Sequence, residues 1–181
     1  MSVSEAVARL STPDYRLARR VNRWRPPRWI RWWMILATRG GDGWMWGLLG
    51  VILLCRFDRQ DYVTVSAAGC AAFTGVLLFR FLKNKVGRPR PCVHEPSCWA
   101  TLTPPDQFSF PSGHSITAFA VSVPICLSFP ALAPAMLFLA CSVALSRIML
   151  GMHFLSDVIA GSIIGSLLGY AYFYAFASSI L

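Results

Sequence analysis

The chain has 181 residues, 55% of them apolar and 14% charged, with a formal net charge of +9. That length bounds it to one domain, and the apolar excess, with a mean hydropathy of +0.51, excludes an ordinary soluble globule. The charge does not point to nucleic acid, because its arginines and tryptophans adjoin segments near bilayer length, the pairing found at membrane boundaries.

Residues 1–39 form a basic, Trp-rich first region carrying nine arginines and broken at Pro26-Pro27. Its apolar stretch, 29–38, is short and interrupted by Arg31, which predicts an interfacial helix or part of a sixth span. It lacks the long apolar core and cleavage site of a signal peptide. Residues 40–181 are read as the membrane-embedded core. A Gly-rich turn at Gly40-Gly41-Asp42-Gly43 leads into an apolar helix over 44–55, and a polar turn follows to Asp61. Further spans are predicted over 62–82, 115–129, 135–150 and 158–180, separated by a Pro-broken loop at 84–110 and a turn at 130–134. The fold class is therefore all-α, a polytopic transmembrane bundle with five spans plus the N-terminal helix. Gly161, Gly165 and Gly169 make a small-residue stripe on the last helix, suited to close packing inside the bundle. Trp24, Trp29, Trp32, Trp33, Trp44 and Trp46 read as interfacial belt and packing.

Charge in the second half is not scattered. From Gln107 to Leu181 the only charged side chains are Arg147 and Asp157, and the only histidines are His114 and His153. Charged groups are costly in hydrocarbon and, where they persist, face a protein interior or polar cavity. Following the predicted spans through the membrane brings three polar segments to one face: Lys83 to Pro91, Phe108 to His114, and Ser146 to Asp157. The chain has fifteen arginines but only two lysines, Lys83 and Lys85, a bias that suits a compact ammonium at a chosen place.

His153 and Asp157, four residues apart, share a face if that segment is helical. A carboxylate so placed holds one imidazole nitrogen protonated and frees the other as a nucleophile. His114 is then the candidate general acid, and afterwards the base for water. Lys83, Arg90 and Arg147 would neutralise phosphoryl oxygens, with Ser112 and the Gly113 N–H as added donors. Each motif alone has a plainer explanation: Ser112 as a helix cap, His153 and Asp157 as a structural pair, Lys85 and Arg88 as interfacial anchors, and Asp42 as a cap, with approach to the basic site as its alternative.

Jointly, Lys83 with six residues to Arg90-Pro91, Pro111-Ser112-Gly113-His114, and Ser146-Arg147 with His153 and Asp157 resemble the three signature motifs of the type 2 phosphatidic acid phosphatases. These lipid phosphate phosphatases are related to vanadium haloperoxidases. The resemblance covers about residues 40–175 and implies a membrane phosphatase with a phosphohistidine intermediate and neither metal nor cofactor. Undecaprenyl diphosphate, phosphatidylglycerophosphate, phosphatidic acid and lipid A phosphate all fit as bilayer-held substrates. A phosphotransferase using the same intermediate, a haloperoxidase and a non-catalytic lipid-phosphate binder are the alternatives.

A bacterial inner-membrane location is expected by analogy. A cytoplasmic N-terminus, with 29–38 contributing to a span, would put the site on the periplasmic side; if that segment only lies on the surface, the site shares the N-terminal side. Cys92 and Cys98, with five residues between them in the loop, suggest a disulfide staple if that face is oxidising and lack the ligands of a zinc site. The oligomeric state is left open by the sequence.

Overall fold

The computed structural model describes residues 3–56, 58–94 and 107–178. In chain order its helices are α1 (Val3–Arg23), α2 (Arg28–Gly40), α3 (Trp44–Leu54), α4 (Arg59–Val86), the short α5 (Pro91–His94), α6 (Gly113–Ser128), α7 (Ala133–Met149) and α8 (Leu155–Ser178). A single 3₁₀ turn, Pro130–Leu132, joins α6 to α7. No strand occurs among the described residues, only an isolated bridge between Pro89 and Phe108. Three segments are long and apolar enough to cross a membrane: Arg59–Val86, Pro130–Met149 and Leu155–Ser178. The α3 and α6 helices are apolar but shorter, so length alone does not make them spans.

The boundaries follow from local chemistry. Asp58 caps α4, its Oδ1 accepting from the Gln60 N–H at 2.8 Å. Gly87 ends α4 in the left-handed conformation, at φ 60°, where a residue without Cβ carries no steric penalty. The segment after it turns back under α4 and carries Arg88 and Arg90 into the bundle. Pro134 sits in the first turn of α7, where its missing N–H has no intrahelical acceptor to lose.

The glycine stripe of α8 sets the packing. A Cβ added at Gly161 would lie 2.6 Å from the Ser112 carbonyl, and one at Gly165 would lie 2.3 Å from that of Ile116. At Gly169 it would meet the Ala120 carbonyl at 2.9 Å. Helix α8 thus rests directly on the backbone of α6, the contact that small residues permit between helices in lipid. This registers Asp157, at the start of α8, beside Ser112 at the start of α6, and the Ser112 N–H donates to the Asp157 carbonyl at 3.1 Å.

Outward faces of α4, α7 and α8 carry exposed Phe73, Leu77, Phe81, Phe138, Ile163 and Leu167. A belt of large apolar side chains on this scale suits contact with lipid rather than water. Trp29, Trp32 and Trp44 are exposed while Trp46 is buried in the core with Leu53, Ile125 and Met136. Trp33 stacks on Phe138 with ring centroids 5.7 Å apart.

Helix α2 has 13 residues, about 20 Å at 1.5 Å per residue, against a hydrocarbon core of about 30 Å. Asp14 on α1 is buried, accepting from the Arg88 Nη2 at 3.0 Å and from the Ser156 hydroxyl. Asp42, beyond the end of α2, reaches the same end of the bundle through His114. The chain from Asp14 to Asp42 therefore starts and finishes at one end, and it is too short to cross twice. At 13 residues α2 alone is shorter than a bilayer crossing, as is α3 at 11.

Candidate active site

A cavity of about 300 Å³ opens where α4 and α7 end and α6 begins, and Lys83, Arg90, His114, Arg147 and His153 line it together with Gly113 and the Gly41–Gly43 turn. The three separated polar segments thus meet in one place. Lys83, on the last turn of α4, is buried, with its Nζ 5.3 Å from the centre of the Phe79 ring. Arg147 lies in the last turn of α7, and its Nη1 donates to the Thr38 hydroxyl of α2. Arg90 is only 2% exposed, and its Nη1 donates to the Met152 carbonyl at 2.8 Å while lying 3.2 Å from the His153 Nε2. Three cations gathered at a half-enclosed cavity form a phosphate site by simple electrostatics.

His153 sits in the short loop between α7 and α8. Its backbone N–H donates to the Arg147 carbonyl at 3.1 Å, as does that of Met152 at 3.0 Å. The Nδ1 atom lies 2.6 Å from the Ser109 carbonyl oxygen. A carbonyl only accepts, so Nδ1 carries the proton and Nε2 presents its lone pair toward Arg90 and the cavity. Burial lowers the His153 pKa from 6.5 to about 3, with Arg147 and Arg90 pushing the same way and Asp157 opposing them. The ring is therefore neutral, the state a nucleophilic imidazole requires.

Asp157 lies close to the His153 ring without bonding it. Its Oδ2 stands 3.8 Å from the His153 Nδ1, beyond hydrogen-bond reach. The Ser109 carbonyl holds the ring instead. Asp157 is itself fixed by the Arg88 Nη1 at 2.7 Å and the Phe154 N–H at 2.8 Å, so it acts on the imidazole through its charge. Arg88, expected as an interfacial anchor, is buried. It bonds Asp157, Ser156 at 2.8 Å and Asp14, and lies 4.0 Å over the Phe154 ring. Lys85 does fit the anchor role, exposed beside Phe81.

Ser112 is fully buried as the N-cap of α6, and its Oγ accepts from the Ser115 hydroxyl at 3.0 Å. Gly113 lines the cavity next to it. His114 follows, its Nε2 2.8 Å from the Asp42 Oδ1. Asp42 does not cap α3; Gly43 occupies that position, and no side chain caps the helix. Cys98 lies outside the described residues, and the expected Cys92–Cys98 staple with it.

A family model described as the PAP2 superfamily matches residues 62–180. This chain belongs to that superfamily. Among curated PAP2 relatives, the decaprenylphosphoryl-5-phosphoribose phosphatase of Mycobacterium tuberculosis is 34% identical over 137 residues, 76% of this chain and 67% of the relative. The lipid A 1-phosphatase of Rhizobium etli is 38% identical over 118 residues, 60% of this chain and 50% of the relative. Among solved structures, a PAP2-type phosphatidylglycerolphosphate phosphatase from Bacillus subtilis superposes with a TM-score of 0.74 and 27% identity, covering 96% of this chain and 88% of that one. The LpxE of Aquifex aeolicus gives 0.69 and 25%, covering 87% and 92%. The PAP2 assignment makes this chain a phosphatase on a helical membrane fold.

The sequence motifs named every cation and histidine at the cavity. They missed Ser109, Thr38 and Asp14, whose roles depend on contacts across 44, 109 and 142 positions of sequence. Arg88 was legible in principle, lying inside the Lys83-to-Pro91 motif. Only its burial separates it from an anchor.

Proposed function

We propose that this protein hydrolyses a membrane lipid phosphate or diphosphate through a phosphohistidine at His153. The observation that carries this is the pairing of the His153 Nδ1 with the Ser109 carbonyl, which leaves Nε2 as a lone-pair donor among Lys83, Arg90 and Arg147. In the first step Nε2 attacks phosphorus, the bond from phosphorus to the leaving oxygen breaks, and His114 protonates that oxygen. In the second, His114 takes a proton from water, the resulting hydroxide attacks phosphorus, and the P–N bond breaks to restore neutral His153. Asp157 and the Ser109 carbonyl stabilise the positive imidazole between the steps, while Lys83, Arg90 and Arg147 neutralise the phosphoryl oxygens. The lipid tail stays in the bilayer, consistent with the apolar belt below the cavity.

Relatives that act on decaprenylphosphoryl-5-phosphoribose, on lipid A 1-phosphate and on phosphatidylglycerolphosphate support a polyprenyl or phospholipid phosphate of a bacterial membrane as the substrate class. Phosphate release from these lipids, from phosphatidic acid and from undecaprenyl diphosphate in detergent micelles tests the proposal. Turnover is expected on at least one, and none with His153→Ala. Wild-type turnover by His153→Ala would sink it.

Five crossings, by α3, α4, α6, α7 and α8, fit the described helices. We further infer that the site lies on the side of the N-terminus, the second of the two orientations open from the sequence, and so faces the cytoplasm. Asp14 and Asp42 both reach the site's end, which brings the basic helix α1 and Arg39 there, with Lys85 in the last turn of α4. The turn at the opposite end, between α3 and α4, offers only Arg56 and Arg59, and basic residues mark the cytoplasmic side. A C-terminal alkaline phosphatase fusion is expected to be active and a C-terminal green fluorescent protein fusion dark. The reverse pattern would restore the periplasmic site.

A further inference from the structure

We propose that Asp42 is the positioning residue for the proton donor His114, holding its ring in place and keeping the proton on it until the leaving oxygen arrives. This rests on the phosphohistidine chemistry above and adds a residue outside the three motifs. An anion at a phosphate cavity needs a reason, since it repels the substrate that Lys83, Arg90 and Arg147 attract.

His114 supplies the reason. The same three cations that bind phosphate disfavour a protonated imidazole beside them, yet a general acid must enter the first step with its proton. A carboxylate 2.8 Å from the His114 Nε2 offsets them locally. The other charge near the pair is Arg39, whose Nη1 stands 3.7 Å from the Asp42 Oδ2, both side chains being substantially exposed. At that distance and exposure Arg39 leaves the carboxylate available to the imidazole.

The turn that delivers Asp42 is shaped for the contact. A Cβ at Gly41 would lie 2.7 Å from the Val143 Cγ1 and 3.3 Å from the His114 Cδ2, so only glycine lets this backbone press against the ring. Gly43 has φ 105°, a conformation that disfavours any side chain. Asp42 stands between them and makes no capping bond to α3. In the reaction the leaving oxygen takes the Nδ1 proton while the Nε2–H keeps its bond to Asp42, and the imidazole becomes neutral. The attacking water then returns a proton to it, and Asp42 stays ionised throughout.

The test uses leaving groups. Phosphatidic acid releases an alkoxide and needs the acid, whereas p-nitrophenyl phosphate releases a stable phenolate and does not. For Asp42→Asn, kcat on phosphatidic acid in detergent micelles is expected to fall by about 10–100-fold, less than the roughly 10²–10⁴-fold that a general acid contributes, because His114 itself is kept. On p-nitrophenyl phosphate the burst of p-nitrophenolate, which reports the first step alone, should change by less than about threefold, because that step draws little on the acid. His114→Ala should show the same split in the first step while slowing the second on both substrates, and Asp42→Glu, which keeps the charge, should recover part of the loss. Equal losses on both substrates, or none on phosphatidic acid, would overturn the proposal. A fully active His153→Ala would instead bring down the phosphohistidine reading, so the two failures are distinguishable.

Discussion

The two histidines of the cavity live in opposite surroundings. His153 is 2% exposed, gripped at Nδ1 by a backbone carbonyl, backed by Asp157 and Arg88, and faced by Arg90. The His114 side chain is 22% exposed and its one carboxylate partner 41%, on a glycine turn with no buried ion pair behind it. The difference matches the work assigned to each. A nucleophile must be neutral and fixed within a fraction of an ångström, and burial with a rigid acceptor achieves both. A proton donor must exchange protons with water every turnover, so it stays at the open edge. One half of the site is built for geometry and the other for traffic.

The sharpest way to break that contrast is through the ion pairs behind each ring. Arg88→Ala leaves the Asp157 carboxylate buried without its partner, a change that costs about 3–5 kcal/mol where a buried pair is broken. A large drop in Tm in detergent is expected, with loss of turnover. Arg39→Ala, on the exposed side, should shift stability by less than about 1 kcal/mol. Equal shifts for the two would erase the distinction between a buried and an open half.

A smaller effect follows from pH. The folded His153 pKa of about 3 lies below the unfolded value of about 6.5. As pH falls below about 6.5 the unfolded chain takes up the proton first, so this group makes stability decline with acidity. The decline continues until pH approaches the folded value. Thermal unfolding followed from pH 7 to pH 4 should therefore show a shallower slope for His153→Asn than for wild type. An unchanged slope would mean that the ring is hydrated in the folded protein.

How much of this was legible beforehand divides along physical lines. The spans on α4, α7 and α8 were readable because their apolar runs are long, and the glycine stripe announced close packing without naming α6 as its partner. The cations and histidines were readable because bilayer sequence makes any polar group conspicuous. Ser109 was not, because a backbone carbonyl carries no signature in side-chain chemistry. Asp14 was hidden in a basic helix where one acid looks incidental. Asp42 was noticed, but the contact that separates a cap from a partner of His114 spans 72 positions, and only the fold supplies it.

The glycine contacts between α6 and α8 have one more consequence. Backbone laid on backbone at Gly161, Gly165 and Gly169 leaves no side chains to slide or repack, so the two helices behave as one beam. Ser112, Gly113 and Asp157 ride on that beam and keep their spacing whatever the bilayer does. Any give that admits a headgroup and releases phosphate has to come from the opposite wall, where α2 meets α3 at the glycine turn.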